Sequence, residues 1–238
     1  MGRNARLIIS LTACLSFALL SPAAQADLSA SWDDDLGHHA SVTASIDTSG
    51  ILRVILTNTS PLATDAPALA LQGVFFDLTG TGTLSSPTAT GDMILIDRDG
   101  LDAVSVDQDL RAGWGYWHAA STPTGFFTFG VAAAGLSGLP WAAPKSMDDS
   151  KILNGPPFGM VALAEYTEGN SQHSMEANNP WTYGTATFTF AGAGGLTLGD
   201  TAVFAFGTGP EFVTPLPGAV LLGMLGMGVA GWRLRRFA

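Results

Sequence analysis

Cysteine is nearly absent from this chain: Cys14 is the only one, and it lies in a segment read below as a removable leader. A single thiol forms no intramolecular disulfide, so the body must be held by its apolar core alone. Lysine and glutamate are scarce as well, two and four in 238 residues, and no stretch between Asp27 and Thr214 keeps a helical apolar period over ten residues or more. Long helices are thereby disfavoured in that region. Positive charge is the third shortage. The span from Asp27 to Thr214 holds all twenty acidic residues but only Arg53, Arg98, Arg111, Lys145 and Lys151 on the basic side, a formal −15 against −10 for the whole chain. Such a body repels nucleic acid and anionic lipid, and no nucleic-acid partner is expected. Catalytic signatures are thin too. There is no Gly-x-Ser-x-Gly elbow, and His38, His39, His118 and His173 fall into no metalloprotease spacing. Glu165 and Glu168 form the one close glutamate pair, but spacing alone does not set two carboxylates across a cleft. The protein is therefore not expected to be an enzyme, and a glycan-active hydrolase is the third-ranked reading.

What is present is concentrated first in two apolar segments. Arg3 and Arg6 precede the apolar run Leu7 to Leu20, and Ala24-Gln25-Ala26 supplies a small-x-small site. Residues 1–26 read as a signal peptide cut after Ala26 by signal peptidase. Leu11-Thr12-Ala13-Cys14 also fits a lipobox, but cleavage there would strand the hydrophobic Leu15 to Leu20 on the mature protein. Towards the other end, Pro215-Leu216-Pro217 leads into an apolar run up to Trp232, followed by Arg233-Leu234-Arg235-Arg236. The seventeen residues Leu216 to Trp232 make about 26 Å of helix, enough to cross a hydrocarbon core of about 30 Å once the arginines snorkel to the headgroups. The basic end favours the cytoplasmic side, which places residues 27–213 outside.

This order of parts resembles the PEP-CTERM sorting signal of Gram-negative bacteria, with Pro215-Leu216-Pro217 in place of Pro-Glu-Pro and Arg233, Arg235 and Arg236 as its basic end. The resemblance implies passage through the inner membrane, handling by the membrane protease exosortase, and delivery to the cell surface or extracellular matrix. Residues 214–238 would be the sorting tail. A plain permanent anchor is the alternative.

Between the two segments the dominant period is two. Val42, Ala44 and Ile46 alternate with polar neighbours, Asp47-Thr48-Ser49-Gly50 supplies turn chemistry, and Leu52, Val54 and Leu56 alternate on the return. That is a β-hairpin. Val74 to Leu78 and Phe126 to Val131 read as buried strands. Thr185, Thr187 and Thr189 alternate with Ala186, Phe188 and Phe190, and a glycine-rich turn at Gly192 to Gly195 leads towards a strand over Val203 to Phe206. Leu136 to Pro157, with four prolines, reads as a long connection. The pattern predicts an all-β fold: one jelly-roll-like β-sandwich over residues 27–213. The segments Ile51 to Ser60 (ILRVILTNTS) and Leu71 to Gly80 (LQGVFFDLTG) resemble the "LTNTS … GVFFDLTG" core of a family of exosortase-dependent surface proteins. That likeness implies a surface or extracellular-matrix protein without assigned chemistry, and the expected role is structural or adhesive.

Two clusters are candidate sites. Asp97, Asp99 and Asp102 offer carboxylates at i, i+2 and i+5 around Gly100, a partial match to a calcium turn that lacks the distal bidentate glutamate. A solvated Asp-Gly turn is the competing reading, and no cofactor is expected beyond that possible Ca2+. Asp33-Asp34-Asp35 beside His38-His39 is a weaker cation candidate. Trp114, Tyr116 and Trp117 are candidate glycan contacts, since aromatic faces stack on sugar rings. They would make the protein a carbohydrate-binding module of an exopolysaccharide matrix. The alternative is that these aromatics fill the core.

Overall fold

The computed structural model describes residues 27–35, 37–97, 100–118, 127–133, 145–150, 152–153, 157–162, 175–207 and 211–213. Of residues 97, 100–103 and 211–213 it describes the backbone alone. The expected leader over 1–26, the expected sorting tail over 214–238 and its expected membrane span over 216–232 lie outside the described residues. Among the described ones no helix is long and apolar enough to cross a membrane.

Local chemistry acts most directly in the first hairpin. One carboxylate oxygen of Asp47 accepts the backbone N–H groups of Ser49 (2.8 Å) and Ile51 (3.0 Å). Gly50, at φ +74°, donates to the Asp47 carbonyl at 2.9 Å. This turn closes β2 (His39–Ile46) on β3 (Leu52–Asn58), in register from Ile46↔Leu52 to Ala40↔Asn58. The predicted hairpin is therefore present, and its alternating apolar residues are buried.

The other strands are β1 (Leu28–Asp33), β4 (Leu71–Gly80), β5 (Ser85–Asp97), β6 (Gly100–Asp109), β7 (Gly115–His118), β8 (Phe129–Ala132), β9 (Met160–Val161), β10 (Trp181–Ala191), β11 (Leu196–Phe206) and β12 (Glu211–Val213). Neighbouring strands β1-β2-β3-β10-β5-β6 form one wing, and β12-β11-β4-β8-β7 form another. The short β9 joins them, with Met160 pairing in parallel with Thr182 of β10 and antiparallel with Leu71 of β4. The all-β expectation holds. The ladders form one continuous sheet, however, in place of two unlinked sheets. The wings double over, bringing Cα atoms of β11 within 8 Å of those of β1 and β2. A single core cluster draws Val42 and Leu56 from one wing, Val74, Phe76 and Phe204 from the other, and Phe188 and Phe190 from β10.

Three boundaries differ from the sequence reading, each for a tertiary reason. Phe127 and Thr128 precede β8 because Thr128 uses its hydroxyl as a substitute ladder: Oγ1 accepts Leu78 N–H at 2.6 Å and donates to Leu78 O at 3.0 Å. The strand read at Val203 to Phe206 extends back to Leu196, with a register shift between Leu198 and Ala202 opposite β4. The long β5–β6 hairpin was not legible at all. Its Ser, Asp, Gly and Pro residues interrupt the β-branched Thr88, Thr90, Ile94, Ile96, Val104 and Val106, and pairing with β10 supplies the register that the sequence does not.

Candidate functional site

The aromatic segment is placed by two turns. The N–H groups of Gly113 and Trp114 both donate to Leu110 O, at 2.9 and 3.1 Å, which turns the chain from β6 into β7. Met147 N–H then donates to Trp114 O at 2.8 Å and Arg111 O at 3.0 Å, docking the second turn, Ser146 to Ser150, on the first. A side chain at Gly113 would collide with the Phe158 ring, its Cβ falling 1.9 Å from Phe158 Cγ.

This frame drives the Trp114 indole inward. Trp114 is 0% exposed, its ring centroid lies 5.0 Å from that of Phe188, and Nε1 donates to Thr182 Oγ1 at 3.0 Å. Thr182 Oγ1 in turn donates to Phe158 O at 2.8 Å. Tyr116 is half-buried and tilts against Phe190 at 4.9 Å on the same core. Trp117, next along β7, packs instead with Phe75, Ala132 and Ala205 on the opposite face of the β4–β8 ladder. The three candidate glycan contacts are thus not brought together. An enclosed Trp114 cannot stack on a sugar, and alternation along β7 sends Tyr116 and Trp117 to different faces. The core-filling reading describes Trp114 and also Trp181, likewise 0% exposed, whose Nε1 donates to Met175 O at 3.0 Å.

The carboxylates are arranged less tightly. Asp97 pairs with Gly100 across the β5–β6 end, while Asp99 and the side chains of Asp97 and Asp102 lie outside the described residues. Nearby acids are engaged locally. Asp92 Oδ1 accepts Asp107 N–H at 3.0 Å where Asp107 bulges at φ +51°, and Asp109 grips the Arg111 guanidinium at 2.7 to 3.1 Å. The Arg111 hydrogen bonds hold the Asp109 carboxyl below its ordinary value. In the N-terminal cluster, Asp34 accepts His38 N–H at 2.9 Å and pairs with His38 Nδ1 at 2.8 Å, and the imidazole stacks 4.7 Å from Phe206. Among the described residues no group of three or more His, Cys, Asp or Glu is poised to hold a metal ion. Glu165, Glu168 and His173 fall outside them.

No known protein family, characterised protein or solved structure matches this chain. Its surface must therefore be read from its own geometry.

Among the described residues, the acid shifted most strongly, Asp148, lies in the turn that docks under Trp114. Hydrogen bonds from Ser150 and Ser146, with the Ser150 backbone N–H, hold the Asp148 carboxyl at about 2. Because the folded-state value is depressed, this group stabilises the fold above its unfolded value of about 4, and the contribution is lost as pH falls through about 2. An NMR titration of the Asp148 carboxyl carbon should show its midpoint near 2. A midpoint near 4 would mean that the serine contacts do not persist in solution.

The feature that composition alone did not flag is the outer face of the β1-β2-β3-β10-β5 wing. In register across it lie Ser31↔Ser41↔Thr57↔Thr185 and, one pleat on, Ser29↔Thr43↔Ile55↔Thr187↔Thr90. A third row runs Ser45↔Arg53↔Thr189↔Thr88. These side chains are exposed or half-buried, opposite the buried alternates. Two hydroxyl pairs tie adjacent strands, Thr57 Oγ1 to Thr185 Oγ1 at 3.0 Å and Thr88 Oγ1 to Thr189 Oγ1 at 2.6 Å. The signal was visible as Ser/Thr at every second position of β1, β2 and β10, but which strands are neighbours cannot be read from that alternation.

Proposed function

We propose that this is an exported bacterial surface or extracellular-matrix protein, sorted by exosortase, with a structural or adhesive role and without catalysis. The observation that carries this reading is the order of parts in the sequence: a basic and apolar leader with Ala24-Gln25-Ala26, a β-rich body without cysteine, then Pro215-Leu216-Pro217, an apolar run and Arg233, Arg235 and Arg236. The doubled sheet, read as a jelly-roll-like sandwich whose wings share a corner at β9, occupies the stretch that export would leave outside. Signal peptidase acting after Ala26 removes the basic leader and Cys14. The Pro215-Leu216-Pro217 motif, the apolar run and Arg233, Arg235 and Arg236 hold the chain in the inner membrane until exosortase acts. The body that emerges is strongly acidic and free of cysteine.

The test is the intact mass of the protein recovered from the surface fraction of the producing cell. A mass lacking residues 1–26 and most of 218–238 is expected. Retention of the apolar run and its arginines would sink the exosortase reading and leave a permanent anchor.

A further inference from the structure

We infer that the Ser/Thr face of the β1-β2-β3-β10-β5 wing is a docking surface for a neutral polysaccharide. The inference names a partner for the adhesive role above and rests on that reading only for where the partner is met.

Three properties of the face select this occupant. The first is charge. The body carries −15, yet the three registered rows contain no carboxylate and one cation, Arg53. Carboxylates stand at its margins: Asp33 on β1, Asp92 on β5, and Asp109 on β6, which is in register with Thr90 and neutralised by Arg111 at 2.7 Å. An acidic polymer meets the net field of the body, whereas a neutral one faces a patch from which charge has been withdrawn. The second is hydrogen-bonding capacity. Each Ser or Thr hydroxyl donates once and accepts twice, so it pairs with a sugar hydroxyl in either sense. The β-branched threonines hold few χ1 rotamers, and the 3.0 Å and 2.6 Å pairs fix four of them further, lowering the ordering cost of binding. The third is shape. Adjacent strands are rotated by about 20–25°, so five strands curve away from any flat lattice, while a flexible polymer chain can follow the twist. A second copy of this chain is disfavoured, because two bodies of −15 would have to meet across a face with Ile55 as its one large apolar side chain.

Affinity electrophoresis of the full chain in detergent, through native gels containing dextran, galactomannan or alginate, tests this. The expected result is retardation by at least one of the two neutral polymers and none by the acidic alginate. Thr43→Val, Thr187→Val and Thr189→Val together remove three hydroxyls while keeping β-branched shape, and should weaken retardation by about tenfold. Thr88→Val with Thr90→Val is a second set on a different strand, should the first fail to fold, and should weaken it likewise. Trp117→Ala should leave it unchanged. The inference is overturned if neither neutral polymer retards the protein, if alginate retards it equally, if folded valine variants migrate as the parent does, or if Trp117→Ala abolishes the effect. Since the assay needs no processing by the cell, its failure leaves the mass measurement untouched, and the reverse also holds.

Discussion

Replacing Trp114 with alanine is expected to destabilise the folded protein by about 3–5 kcal/mol, the largest effect of any single aromatic change in β7 or its approach. The indole is fully enclosed, packs on Phe188 and spends its one donor on Thr182. Removing it leaves a cavity beneath the Leu110 to Trp114 turn, while the backbone carbonyls of residues 111 and 114 that hold Met147 N–H remain. Thr182 keeps its own bond to Phe158 O, so the loss is mainly packing. Trp114→Phe separates the two contributions. It keeps most of the bulk and forfeits the hydrogen bond, for which about 1 kcal/mol is expected. Urea unfolding monitored by tryptophan fluorescence measures both. A surface tryptophan that only met ligand would change stability by about 0.5 kcal/mol or less, and such a result would return Trp114 to the glycan-binding reading.

Gly192→Ala should cost about 3 kcal/mol, for a backbone reason. Gly192 sits after β10 at φ +81°, where an L side chain is strained by roughly 1–2 kcal/mol. Its Cβ would lie 2.1 Å from the Thr83 carbonyl oxygen, a backbone atom just ahead of β5 that cannot swing aside as a side chain can. Overpacking of that kind adds about 1–3 kcal/mol. Gly194, in the same turn, is the internal control. Its Cβ would meet nothing closer than Gly50 Cα at 3.9 Å, and its φ is not in the left-handed region. Gly194→Ala should therefore be nearly neutral. If both variants unfold at the same urea concentration as the parent, the turn does not have this geometry.

How much was legible in the sequence follows from where the deciding information sat. The β2–β3 hairpin was readable because Asp47 and Gly50 form their turn from adjacent residues. The GVFFDLTG segment was readable as a strand because it is apolar throughout. That Phe75 and Phe76 serve different clusters, on opposite faces of β4, required the doubled sheet around it. The aromatic segment shows the limit of composition. Trp114, Tyr116 and Trp117 look like one platform in a string of letters, but period two separates Tyr116 from Trp117 and the Leu110 turn buries Trp114. The Ser/Thr face fails in the other direction. Each strand contributes unremarkable polar alternates, and only the ladder order converts them into a surface. The acids at Asp97, Asp99 and Asp102 keep their two sequence readings, a wet hairpin end or a calcium turn.

The brevity of β9 bears on how the sheet holds its bend. Among the described pairs it is the ladder that links the wings, Met160 meeting Thr182 on one side and Leu71 on the other, with its carbonyl accepting Asn58 Nδ2–H at 3.0 Å. So few backbone bonds cannot fix the angle between two many-stranded wings. That angle is set by the side chains between them, Val42 and Leu56 against Val74, Phe76 and Phe204. The fold is thus closed by packing, as a clasp, while hydrogen bonds only make the hinge.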